Sequence, residues 1–144
     1  MLNVDTIEMG TVVDHIKPGK GAKVLEVLGV GEDYPHRVAL VMHVTSKKSG
    51  TKDIVKIEGK IVDQEAANIL ALISPGATVN IIKGSKVEKK FKVELPEVLK
   101  GVGTCPNPNC MSNSEDSRKE FRKEDGNDYR CHYCERRFSA EELV

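Results

Sequence analysis

The four cysteines of this 144-residue chain fall in its last third, as Cys105-x4-Cys110 and Cys131-x2-Cys134. Two short loops carrying two thiolates each suit a tetrahedral divalent ion, and zinc is the ion such a set ordinarily holds. With all four positions taken by protein, no site remains for an activated water, so the metal is expected to build structure and carry no reaction. His132 lies between the second pair but is left out of the ligand set, because four thiolates already satisfy the ion. The opposing reading is a pair of disulfides in a secreted chain. Against it, Met1-Leu2-Asn3-Val4-Asp5 lacks the basic-then-apolar layout of a secretory signal. No run approaches the roughly 18 apolar residues of a membrane span. The expected setting is the cytoplasm, where thiols stay reduced, with no membrane partner.

A second group of residues could hold an anion. In Lys52-Asp53-Ile54-Val55-Lys56-Ile57-Glu58, period two throws Lys52 and Lys56 to one face, and Lys90 lies on another expected strand. Three lysines over one sheet would suit a polyphosphate. A solvated strand face explains the same spacing and is the simpler account. Asp14 could accept hydrogen bonds from ribose hydroxyls or merely cap a turn before Pro18-Gly19, and His15 could equally be structural. Spacing leaves both open.

The elements that must position these residues are strands and two helices in mixed order. Strands are expected at Gly10–Ile16, Arg37–Thr45, Lys52–Glu58, Thr78–Lys83 and Lys86–Leu95. Arg37–Thr45 is so dense in apolar side chains that both its faces are expected to be covered. In Lys86–Leu95, Val87, Phe91, Val93 and Leu95 alternate with charged residues. A helix from Gly21 to Leu28 stops at Gly29, and a second follows Asp63 as N-cap with a stripe of Ala66, Ile69, Leu70 and Ile73, ending at Ser74-Pro75-Gly76. The expected fold is α+β: an N-terminal antiparallel sheet with two helices, a ferredoxin-like sandwich, plus a small C-terminal zinc-binding β domain.

Pro96 marks the boundary, with residues 96–104 read as a linker into the first cysteine loop, giving domains 1–98 and 99–144. The second is small enough to need its metal to fold. Lysine plus arginine equals aspartate plus glutamate at 22 each. From Gly101 onward there are seven basic and nine acidic residues, leaving fifteen and thirteen before it. A nucleic-acid-binding ribbon ordinarily has a basic face.

Several blocks together resemble a known family. They are Gly10-Thr11-Val12-Val13-Asp14-His15-Ile16, Lys52-Asp53-Ile54-Val55-Lys56-Ile57-Glu58, Ala77-Thr78-Val79-Asn80, the loop Cys105-Pro106-Asn107-Pro108-Asn109-Cys110, and Cys131-His132-Tyr133-Cys134-Glu135. In this order they are similar to the regulatory chains of aspartate carbamoyltransferase. The resemblance implies a non-catalytic subunit of pyrimidine biosynthesis. It would bind CTP and UTP as inhibitors and ATP as activator, pair with its twin as a regulatory dimer, and dock its zinc domain on catalytic-chain trimers. It further implies that Val4, Asp5 and Ile7 lie near the base and Asp14 at the ribose. Lys52, Lys56, Asn80, Ile82, Val87 and Lys90 complete the pocket, with Lys90 and His15 nearest the phosphates. Met9 and Ser85 stand where other members can carry an arginine and a tyrosine, which bears on base discrimination.

Two other classes fit these residues less well. A zinc ribbon binding nucleic acid would draw on Arg118, Lys119, Arg122 and Lys123, but these interleave with Glu120, Glu124 and Asp125, and few aromatic residues offer stacking. An enzyme would need a nucleophile elbow, a phosphate-loop glycine pattern or a metal with an open position, and none is visible. His15, His36 and His43 lack sequence-evident partners.

Overall fold

Apolar residues, at period two on β3 and β4 and on either side of a bulge in β1, turn one face of the first sheet inward. Val13 and Ile16 on β1 (Met9–Ile16), Val55 and Ile57 on β3 (Thr51–Glu58), and Val79 and Ile81 on β4 (Thr78–Lys83) are all buried. In the computed structural model, which describes residues 7–45, 47, 50–114 and 119–144, they pack against α1 (Gly21–Val27) and α2 (Gln64–Ile73). With β2 (Val38–Thr45) and β5 (Lys86–Lys92), the sheet runs β2-β3-β1-β4-β5, every neighbour antiparallel. The order of the first four strands around two helices is the ferredoxin-like arrangement, with β5 added at one edge. Asp63 caps α2 by accepting from the Ala66 amide at 2.8 Å, and Gly29 follows α1 with φ +76°.

One core-facing position on β3 breaks the apolar pattern. Asp53 is fully buried, and its carboxylate accepts from the amides of Gly19 and Gly21 at 2.9 Å and of His43 at 3.0 Å. A buried carboxylate needs such donors. It thereby fixes the β1–α1 turn, the start of α1 and a bulge in β2 between Val41 and Val44. A Cβ on Gly21 would lie 2.5 Å from Leu40 Cδ1 and 3.1 Å from the Asp53 carboxylate, so that close approach requires glycine.

Three details differ from the sequence reading. β2 is an edge strand that α1 covers only in part, around Leu40, so Val38 and Met42 are exposed instead of covered. In β5, the ladder pairs Ile81 with Lys89 but Ile82 with Val87, leaving Glu88 as an extra residue. That bulge moves Val87 off the core face it would share with Phe91 and sets it opposite Ile82. The expected linker 96–104 contains a strand, β6 (Val98–Lys100), whose Leu99 is buried.

The second unit is a four-stranded sheet, β6-β7-β8-β9, formed with β7 (Glu120–Lys123), β8 (Asp128–Cys131) and β9 (Arg137–Ser139). A short helix α3 (Met111–Ser114) follows the first cysteine loop, and a 3-10 helix, Ala140–Leu143, closes the chain on a Ser139–Glu142 capping box. Phe121, Tyr129, Leu99 and Leu143 fill its core, and the Tyr129 hydroxyl donates to the Pro96 carbonyl at 2.6 Å. Helix α2 belongs to both cores. Ala67, Leu70, Ala71 and Ile73 face the first sheet, whereas Leu72, fully buried, and Ile69 pack with the second. On the surface, Glu141 reaches Lys17 at 3.1 Å and Lys20 at 3.5 Å across the same junction.

Candidate metal centre and anion-binding face

The loop carrying Cys105 and Cys110 is shaped by its own polar groups. The Cys110 amide donates to the Asn107 carbonyl at 3.0 Å, and the Asn113 side-chain amide donates to the carbonyls of Cys105 and Asn107 at 2.9 Å each. Cys131 ends β8, and the turn after it brings Cys134 back. Glu135 adopts a left-handed φ of 60° there and donates its amide to the Cys131 carbonyl at 3.0 Å. The four sulfurs lie within 4.8 Å of one another, with Cys105 to Cys134 and Cys110 to Cys131 both at 3.7 Å. No disulfide joins them. His132 lies outside this set, exposed, with its Nδ1 3.3 Å from Glu120.

Charge explains why a cation belongs among these sulfurs. Burial pushes the Cys105 thiol up to about 12 and raises that of Cys131. Burial opposes ionisation of Cys110 as well, but hydrogen bonds from Ser112, joined by those from Cys131 and Cys105, outweigh it and hold that thiol at about 7. Four thiolates at neutral pH therefore require a positive ion to offset them, and a bound metal supplies that charge.

The face of the first sheet turned away from the helices carries the second site. Ladder registers set Lys56, Val12, Asn80 and Lys90 side by side on four consecutive strands. At about 4.8 Å per strand, the backbones of Lys56 and Lys90 stand about 14 Å apart, so the row suits an elongated ligand better than a single small anion. Among the described residues, neither lysine pairs with a carboxylate. Asn80 donates its side-chain amide to the Val12 carbonyl at 3.3 Å.

Lys52 differs from those two, because its ammonium is 3.0 Å from Asp14. Burial alone would raise the Asp14 carboxyl, but Lys52 and the His15 amide, 2.6 Å away, bring it below its usual value. His15 itself sits in the β1 bulge with φ 58°, its Nδ1 3.1 Å from Thr78 Oγ1. Ile82 is buried and faces exposed Val87 across the β4–β5 ladder, while Ile7 is buried. Val4 and Asp5 lie outside the described residues.

Residue reading missed Asp53 and Thr78. Asp53 carried a usable signal, a carboxylate at a β3 position where period two demands an apolar side chain. Thr78 carried none, since its role depends on a bulge that brings His15 over it.

Residues 2–94 match the family described as aspartate carbamoyltransferase regulatory chain, allosteric domain, and residues 97–144 match the metal binding domain of the same chain. The chain is 50% identical over 146 residues to an aspartate carbamoyltransferase regulatory chain of Pyrococcus horikoshii, covering 99% of this chain and 96% of the relative. The counterpart from Thermococcus gammatolerans is 47% identical over 145 residues, with the same coverage. That of Methanococcus maripaludis is 47% identical over 137 residues, covering 94% of this chain and 91% of the relative. Matched in both of its parts and along nearly its whole length, the chain belongs to the aspartate carbamoyltransferase regulatory chain family.

Proposed function

We propose that this regulatory, non-catalytic subunit senses nucleoside triphosphates on the open face of its first sheet. It reports them to the aspartate carbamoyltransferase catalytic chain through its metal-bearing unit. The effectors are CTP with UTP as inhibitors and ATP as activator, acting on pyrimidine biosynthesis in the cytoplasm. The observation that carries this reading is the cross-strand row of Lys56, Asn80 and Lys90, whose two ammonium groups have no carboxylate partner among the described residues. In it, Lys90 and His15 meet the phosphates and Asp14 the ribose. Val4, Asp5 and Ile7 contact the base, and Lys52, Lys56, Asn80, Ile82 and Val87 line the remainder. The division of labour follows residues 1–98 and 99–144.

Zinc is the ion proposed for Cys105, Cys110, Cys131 and Cys134. A tetrahedral zinc with bonds of about 2.3 Å needs sulfurs about 3.8 Å apart, and two of the pairs stand at 3.7 Å. The ion holds the loops together and offers no open position. Around it, exposed Asn109 and Glu135, with half-buried Asn107 and Tyr133, form the surface proposed to grip catalytic trimers. The exposed edge of β2, with Val38 and Met42 uncovered, supports pairing with a twin as the regulatory dimer. A nucleotide shifts the assembly only by its difference in affinity between two quaternary states, about 1–3 kcal/mol. The ribbon reading, with nucleic acid as partner, is not favoured by the family match.

Reconstitution with catalytic trimers tests this. Carbamoyl transfer by the trimers should respond to CTP and ATP only when the chain is present. Lys90→Ala should raise the half-effective CTP concentration about tenfold, the scale of a charge-assisted contact. Identical nucleotide responses with and without the chain would defeat the proposal.

A further inference from the structure

Beyond the Lys56–Lys90 row, the β1–α1 turn and the turn after α2 enclose a cleft of about 290 Å³. At about 30 Å³ per water molecule, it has room for several waters or for phosphoryl oxygens. It is lined by His15, Lys17, Lys52, Lys92, Thr51 and Thr78 and, among the described residues, by no carboxylate. Lys92 pairs with no acidic group among the described residues, and Lys52 is already engaged by Asp14. The Lys17 backbone is fixed, since its amide donates to Ser74 Oγ at 3.0 Å and Ser74 is buried. Its ammonium is different. It lies 3.1 Å from Glu141 on the closing 3-10 helix of the metal unit, in a pair whose side chains are about half exposed.

With the phosphates entering this cleft as the nucleotide reading has it, we infer that Lys17 exchanges its interdomain partner Glu141 for the terminal phosphoryl group of a nucleoside triphosphate. The inference rests on the nucleotide reading above and adds to it a binding residue and a regulatory contact. The physical reason is local competition. A single ammonium on a flexible stem satisfies one strong anion at a time, and a phosphoryl group carries more charge than one carboxylate. Occupancy would therefore loosen the bridge between the two units at Glu141 while Lys20, 3.5 Å from the same carboxylate, remains. The exposed position of the pair limits its strength, so the effect is a modest bias on domain orientation.

Calorimetric titration of the metal-loaded full chain with CTP and CDP tests the exchange in wild type, Lys17→Met, Glu141→Gln and the double variant. Glu141→Gln should tighten CTP binding about two- to fivefold by removing the competitor. Lys17→Met should weaken CTP about fivefold and CDP less, and should abolish the gain from Glu141→Gln. Hydrogen exchange at residues 140–143 should quicken about two- to fivefold on adding CTP to wild type and stay unchanged in Lys17→Met. A CTP site that depends on Lys90 but is indifferent to Lys17 and Glu141 would overturn this inference alone. So would a Glu141→Gln gain that persists without Lys17, an equal Lys17→Met loss for CTP and CDP, or unchanged exchange at 140–143. Absence of CTP binding, or CTP binding indifferent to Lys90→Ala, would overturn the nucleotide reading and this inference with it.

Discussion

The two units of this chain are held together by different means. The first closes a sheet and two helices over a core running from Val13 to Val93, with a buried carboxylate, Asp53, supplied with three backbone donors. The second has a smaller core that includes three of the four cysteines themselves. Its sulfurs stand close together with two of their thiols pushed away from ionisation. The contrast shows what each unit is free to do. The first, with the larger apolar core, leaves Lys56 and Lys90 without a carboxylate partner among the described residues, whereas the second turns cysteines of its own core toward a metal.

Metal removal is the sharpest way to break that contrast, because the free energy of structural zinc binding, about 10–16 kcal/mol in small domains, is folding free energy. Displacement of the ion by a thiol-reactive mercurial should abolish amide protection on β7 and β8 while β1, β3 and β4 stay protected. Simultaneous loss from both sheets would show that the first unit is not self-sufficient. The chain should also part from its catalytic partner; an assembly that survives metal loss would remove the docking role.

A smaller effect probes the seam. Leu72→Ala empties a fully buried site on α2 that packs with the second core, at a cost of about 3 kcal/mol. In urea titration, tyrosine fluorescence should shift to lower denaturant, since two of the three tyrosines, Tyr129 and Tyr133, report the metal unit. An unchanged midpoint would mean that α2 serves the first core alone.

The smallest effect concerns the Asp14–Lys52 ion pair on the open face of the first sheet. Asp14 titrates below its usual value of 3.8, because Lys52 and the His15 amide together outweigh the opposing effect of burial. A depressed carboxyl contributes stability above its unfolded value, and this is lost as pH falls through the folded one. Acid titration from pH 5 to pH 2 should therefore show about 1 kcal/mol or less that disappears below about pH 4 and is absent in Lys52→Met. A wild type and variant with superimposable acid profiles would leave the pair without energetic content.

How much of this was legible beforehand depends on what each feature rests upon. The Asp63 cap, the Gly29 stop and the cysteine spacing are local, and they stand in the structure at the residues where local chemistry puts them. Val87 misled because period two assumes an unbroken ladder, and a single extra residue, Glu88, reverses the face. The exposure of β2 depends on its being last in the sheet order, which its composition does not encode. β6 hid inside a Pro- and Gly-containing stretch because a three-residue strand has no period to detect. On the open face of the first sheet, alternation placed Lys52 and Lys56 together correctly, but only the fold separates the lysine neutralised by Asp14 from the one without a carboxylate partner among the described residues.

Helix α2 has a practical consequence. Because it owes one flank to each neighbour, cutting the polypeptide near residue 96 would leave Ile69 and Leu72 as a greasy stripe with nothing above it. A shortened fragment carrying only the first sheet and its helices should thus clump at concentrations where the intact chain stays dispersed, and polar replacements at those two positions are the natural remedy.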